Sequence, residues 1–202
     1  MSPVGPGWAF LHSRGLPEIG VTAAAAVLAA WAAVPELQAV PLVSGRSALL
    51  LAWASCLPGV LAAVILAPPE AEREEAMGRF PYGWWRLGWV ACLAAAPCLP
   101  HLVFTAWSGE SLWWSLWYAR NHLLMLAVTL VAASRLAPAL AWAPGAVYAL
   151  LCWFAGTTGL GGEPQPWALV HHAPDTWWIW LLIAAALGWG LWWHTTHVAV
   201  SS

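Results

Sequence analysis

The chain of 202 residues contains no lysine, and charged residues of either sign make up only 8% of it, for a formal net charge of −2. A soluble domain carries about a quarter charged residues, so this chain cannot cover a water-facing surface. Without lysine there is no Schiff-base chemistry and no phosphate-binding lysine of a P-loop. Any ATP hydrolysis linked to this protein therefore belongs to another chain. The arginines form no basic run, which excludes the electrostatic footprint of a nucleic-acid binder. Cysteine is scarce too: Cys56, Cys92, Cys98 and Cys152 sit in apolar runs with no C-x-x-C spacing, and read as small buried hydrophobes. H-E-x-x-H and G-x-S-x-G patterns are missing. No carboxylate interrupts the middle of an apolar run, which argues against a proton-coupled carrier built on buried acids.

What remains is apolar and aromatic. Hydrophobic residues make up 61% of the chain and tryptophan alone occurs 19 times. At about 20 residues per bilayer crossing, the length accommodates six spans and short loops, with no room for a soluble domain of ~100 residues. The apolar runs place these spans at 19–34, 47–67, 87–107, 118–136, 138–158 and 176–193, giving an all-α, polytopic membrane protein built as a single transmembrane domain. A secretory reading of 19–34 has no soluble mature domain to support it. Pro97 and Pro100 predict a kink or unwinding in the outer half of the third span. The fourth span is bounded by Arg120 and Arg135, both expected to snorkel to the interfaces. Pro138 suits the start of the fifth span, and Asp175 is the expected N-cap of the sixth.

Arginine placement sets the orientation. With both termini cytoplasmic, Arg14, Arg73, Arg79, Arg86 and Arg135 lie inside, and Arg46 and Arg120 lie outside. Tryptophans then form two belts: Trp84, Trp85, Trp89, Trp142, Trp189, Trp192 and Trp193 at inner ends, and Trp107, Trp113, Trp114, Trp117, Trp167, Trp177, Trp178 and Trp180 at outer ends. The lack of lysine and the abundance of Ala, Gly, Pro and Trp suit a GC-rich bacterial gene, which places the chain in a bacterial inner membrane.

The most charged segment is the cytoplasmic loop 68–86. Pro69 opens a turn, Glu70, Glu72, Glu74 and Glu75 follow where a helix N-terminus favours negative charge, and Glu75 can pair with Arg79 one turn on. Gly78 to Pro81 stops this helix, and Phe80-Pro81-Tyr82 leads to a Trp84-Trp85-Arg86 anchor. A six-span chain with such a loop resembles the membrane subunits of ABC-2-type transporters, and the Arg120-Asn121 pair opening the fourth span is similar to actinobacterial members. The resemblance implies a coupling helix that docks a separate ATP-binding-cassette ATPase through Glu70, Glu72, Glu75, Arg79, Phe80 and Tyr82. It further implies a second membrane subunit, as a homo- or heterodimer, and neither catalytic residues nor a cofactor in this chain. The family's commoner Gly-Thr-Leu-Glu pattern is replaced here by Ala76-Met77-Gly78-Arg79.

A competing pattern is histidine. His101, His122, His171 and His172 all fall near the outer face among tryptophans, a setting in which imidazoles can hold haem iron or a transition metal. The run Trp113-Trp114-Ser115-Leu116-Trp117-Tyr118 is faintly similar to the haem-handling segment of cytochrome c maturation proteins, with Tyr118 where that segment has Asp. The third class is a membrane scaffold with neither transport nor chemistry. Gly156, Gly159, Gly161 and Gly162 around Thr157-Thr158 suit either a flexible loop or a re-entrant segment facing outward.

Overall fold

The computed structural model describes residues 55–60, 82–108, 111–137, 140–158 and 163–196. Among them the fold is all-α: α1 (Tyr82–Ala95), α2 (Cys98–Ser108), α3 (Leu112–Ala133), α4 (Ala143–Ala155), a 3-10 turn (Leu169–His171) and α5 (Trp177–Thr196). Residues 57–60 form a further helical turn. Extended pairing among the described residues is limited to an isolated antiparallel bridge between Thr157 and Pro164. The expected first span, 19–34, lies outside the described residues.

The proline reading of the third span holds. The helix breaks at Ala96-Pro97 and resumes as α2, with Pro100 in its first turn, where a missing N–H costs nothing. Pro97 has no proton to offer the carbonyl four residues back, Leu93 O. His122 supplies it instead, with Nε2 2.9 Å from that oxygen.

Three boundaries differ from expectation. The helix expected at 118–136 starts six residues earlier, at Leu112, because Ser111 caps it by accepting from Trp113 N. Helix α4 starts at Ala143 rather than at Pro138, with Pro144 in its first turn. Asp175 is not the N-cap of α5: a turn closed by Thr176 N to Ala173 O leaves it exposed, and the first helical bond goes to Thr176 O.

At 1.5 Å per residue, the 22 residues of α3 span ~33 Å. It alone among the described helices is long and apolar enough to cross a membrane, α4 and the apolar part of α5 (Trp177–Trp193) being shorter. Helix α3 is the central post. His122 meets Leu93 and Ser115 meets His101, so α1 and α2 run antiparallel to it. Gly145 lies beside Thr129, and Cys152 shares a cluster with Leu124 and Val170, so α4 is antiparallel as well. Helix α5 runs parallel, its start held near Arg120 and its end, Gly190, against Leu130.

Two apolar clusters hold these helices together. One unites Cys56, Val60, Leu124, Met125, Ala149, Cys152, Val170, Ile179 and Ile183; the other Val90, Leu126 and Leu130. Glycines set the closest approaches. A Cβ at Gly190 would lie 2.7 Å from Leu130 Cβ, and one at Gly59 would lie 2.6 Å from the His122 carbonyl oxygen. Gly188, two residues before Gly190, faces open space.

Candidate functional site: a polar core in an apolar bundle

Six polar residues are buried among those described, and four of them, Ser115, Arg120, Asn121 and His122, lie in one stretch of α3. Consecutive helical residues are separated by about 100°, so Arg120, Asn121 and His122 face three directions, and a helix in that register is surrounded by protein. Large apolar side chains occupy the outside. Trp107 is 83% exposed, Phe154 81% and Trp177 69%, with Val103, Leu181, Leu182 and Trp192 also facing outward.

The side of α3 facing α4 and α5 meets the segment leading into α5. Arg120 has no exposed surface at all, which corrects the expectation that it snorkels to an interface. Its Nη1 donates to Ala173 O at 2.7 Å, its Nη2 to Val170 O at 3.2 Å, and its Nε and Nη2 to Asn121 Oδ1 at 3.2 and 2.9 Å. Val170 O also accepts from Asn121 Nδ2 at 3.1 Å and from Trp117 Nε1 at 2.8 Å. Trp117 is thus buried in the core and does not belong to an outer belt; Trp89 is buried likewise. Arg120 makes no bond to a carboxylate among the described residues, so its charge is dispersed over neutral carbonyl and amide oxygens.

The segment itself is tied down along its length. The Tyr148 hydroxyl donates to Trp167 O at 2.8 Å and accepts from Leu169 N at 2.9 Å. Gln165 N donates to Gly156 O, and Thr158 N to Glu163 O. Trp180 Nε1 donates to Pro174 O. Ala168 and Val170 are buried in the main apolar cluster, so this non-helical chain dips into the bundle, as irregular backbone does where protein surrounds it.

The four histidines do not form one site. His171 Nε2 donates to Cys152 O at 2.8 Å, His172 Nε2 lies 3.1 Å from Gln165 O, His122 Nε2 faces Leu93 O, and His101 Nδ1 lies 3.2 Å from Ser115 Oγ. Among the described residues no group of three His, Cys, Asp or Glu is placed to hold a metal ion. Partial burial lowers the His171 pKa, opposed by its bond to the Cys152 carbonyl and reinforced by His172 and Arg120.

Of the residues expected to dock an ATPase, Glu70, Glu72, Glu75, Arg79 and Phe80 lie outside the described residues, and Tyr82 is the first residue of α1. The Val170–Ala173 junction was not anticipated from sequence. Its one sequence signal is Arg-Asn-His, three consecutive polar residues inside an apolar run. No family model, curated protein or solved structure matches the chain.

Proposed function

We propose that the chain is a membrane-embedded, non-enzymatic subunit of a transporter, the permease of an ABC-2-type exporter, in the inner membrane of a bacterium. One observation carries the membrane part: the bundle is inverted, with Arg120, Asn121, His122 and Thr129 buried and Trp107, Phe154, Leu181 and Trp192 outward. In water such a surface would aggregate; in lipid it is the favourable arrangement, because polar side chains turn to the bundle interior. The alternating helix directions and the two tryptophan groups support the same reading. Trp113 and Trp114 lie at the start of α3 with ring centroids 5.2 Å apart. Trp189, Trp192 and Trp193 cluster at the end of α5, beside Arg135, whose guanidinium lies 5.8 Å from the Trp193 ring. The 20 residues of α3 between Trp113 and Ala133 give ~30 Å, the thickness of the hydrocarbon core.

The transport part rests on the charged loop 68–86 and the layout it shares with ABC-2 permeases. The bundle spans the membrane six times with both termini inside, pairs with a second membrane subunit, and draws its conformational drive from an ATPase docked at that loop. A motor shifts a pump only through contacts that differ between its two states. Exposed charge pairs contribute ~0–1 kcal/mol, so the aromatic turn carries more of the coupling than any one glutamate. The test is co-purification with a cassette ATPase followed by ATPase activity in lipid nanodiscs. Phe80→Ala or Tyr82→Ala is expected to abolish stimulation without loss of insertion, and Glu72→Ala to do less. A chain that recruits no ATPase, or aromatic variants that stimulate normally, contradicts the permease assignment.

A further inference from the structure

The side of α3 facing α1 and α2 carries a second polar group, distinct from the Arg120 junction. His122 is fully buried, and its Nε2 is committed to Leu93 O. A carbonyl only accepts, so Nε2 carries the proton and the lone pair of the neutral ring is on Nδ1. Nδ1 is buried and has no hydrogen-bond partner. Tyr118 is one helical turn earlier on the same face. It too is buried, and its hydroxyl likewise has no partner. The Tyr118 ring is stacked on His101 of α2, with centroids 4.6 Å apart and planes 16° from parallel. Both side chains therefore point to the elbow where Pro97 separates α1 from α2. Side chains on a helix lean toward its N-terminus, so the His122 ring lies over the turn that carries Tyr118.

We propose that Tyr118 Oη and His122 Nδ1 together bind one hydroxyl group at this elbow. The group donates its proton to His122 Nδ1 and accepts the Tyr118 O–H. One hydroxyl, with one proton and two lone pairs, satisfies both atoms at once. Leaving either buried and unpaired forfeits its hydration without replacement, and the expected native arrangement is a satisfied pair. A water molecule and the hydroxyl of a lipid or other alcohol share this chemistry. Neither a metal ion nor an anion fits: the described His, Cys, Asp and Glu form no ligand set for a cation, and the lone pair on His122 Nδ1 repels an anion.

The site needs no ATPase and no transport, so its test is independent of the permease reading. Protein labelled with 15N-histidine, reconstituted in nanodiscs of a synthetic lipid without hydroxyls, is examined by solid-state NMR. The expected result is an unprotonated His122 Nδ1 correlated with a hydroxyl proton, the correlation being lost in Tyr118→Phe while the Nε2 bond to Leu93 persists. If the correlation is present in that hydroxyl-free lipid, the occupant is water. If the correlation appears only in nanodiscs of native lipid extract, the occupant is a lipid or co-purified alcohol. Thermal unfolding gives a second reading: Tyr118→Phe lowers the midpoint if its hydroxyl is bonded. A His122 Nδ1 without a hydroxyl correlation in either lipid, or a Tyr118→Phe variant as stable as wild type or more so, overturns the proposal.

Discussion

A guanidinium with no exposed surface and no carboxylate partner among the described residues places a heavy demand on its surroundings. Taking an ion out of water costs several kcal/mol, and at Arg120 that cost is offset by two backbone carbonyls and the Asn121 amide oxygen. Asn121 is the pivot, since its oxygen takes two bonds from Arg120 while its nitrogen donates to Val170 O. Asn121→Ala is therefore expected to destabilise the protein by ~1.5–3 kcal/mol, the range for a hydrogen bond to a charged group. Arg120→Met removes the charge that the lost amide had solvated, so Arg120→Met/Asn121→Ala should unfold at a higher temperature than Asn121→Ala alone. Thermal unfolding in one detergent compares the two directly. His171 gives a pH dependence. Its pKa is lowered in the folded protein, so between that value and the unfolded value of about 6.5 the unfolded chain binds more protons. Its contribution is intact above about 6.5 and is lost as the pH falls toward the folded pKa. A His171→Gln variant should lose less stability than wild type between about pH 7 and pH 5, measured as the shift of the unfolding midpoint.

At the scale of elements, α3 sets the positions of the others, and glycine controls how closely they approach it. Gly190 sits where a Cβ would lie 2.7 Å from Leu130 Cβ, and Gly188 sits where nothing is near. Gly190→Leu should cost ~1–3 kcal/mol through overpacking, whereas Gly188→Leu on the outward face should leave the unfolding midpoint unchanged or raised by helix propensity. The sequence made some of these elements legible and not others, for physical reasons. Apolar runs and Pro97 revealed helices and a break because both are local properties of the chain. The N-terminus of α3 differs because a charged Arg120 reads as the end of a span, while Ser111 caps the helix two turns before it. The burial of Arg120 was not legible. Its partners, Val170 and Ala173, lie about fifty residues away in a segment without periodicity, and a charge in an apolar run reads equally well as the end of a span. The four histidines read as one cluster because the expected spans put them at one level, yet each engages a different oxygen atom.

For the whole molecule, the claim is that an inverted bundle stands in a bilayer with the Arg120 junction toward the outer face and Arg135 toward the inner. The chain carries too little charge for a water-facing surface, its described helices alternate in direction around α3, and large apolar side chains face outward. Side-specific labelling of single cysteines in a Cys-free background tests this most directly. Glu163 is exposed in the segment before α5, and Leu136 is exposed past the end of α3. In intact cells an impermeant thiol reagent should modify Glu163→Cys and spare Leu136→Cys and Glu75→Cys until the membrane is opened. Modification of Leu136→Cys from outside with Glu163→Cys protected would reverse the orientation and detach loop 68–86 from any cytoplasmic ATPase. Equal modification of all three in intact cells would contradict the membrane-spanning bundle itself.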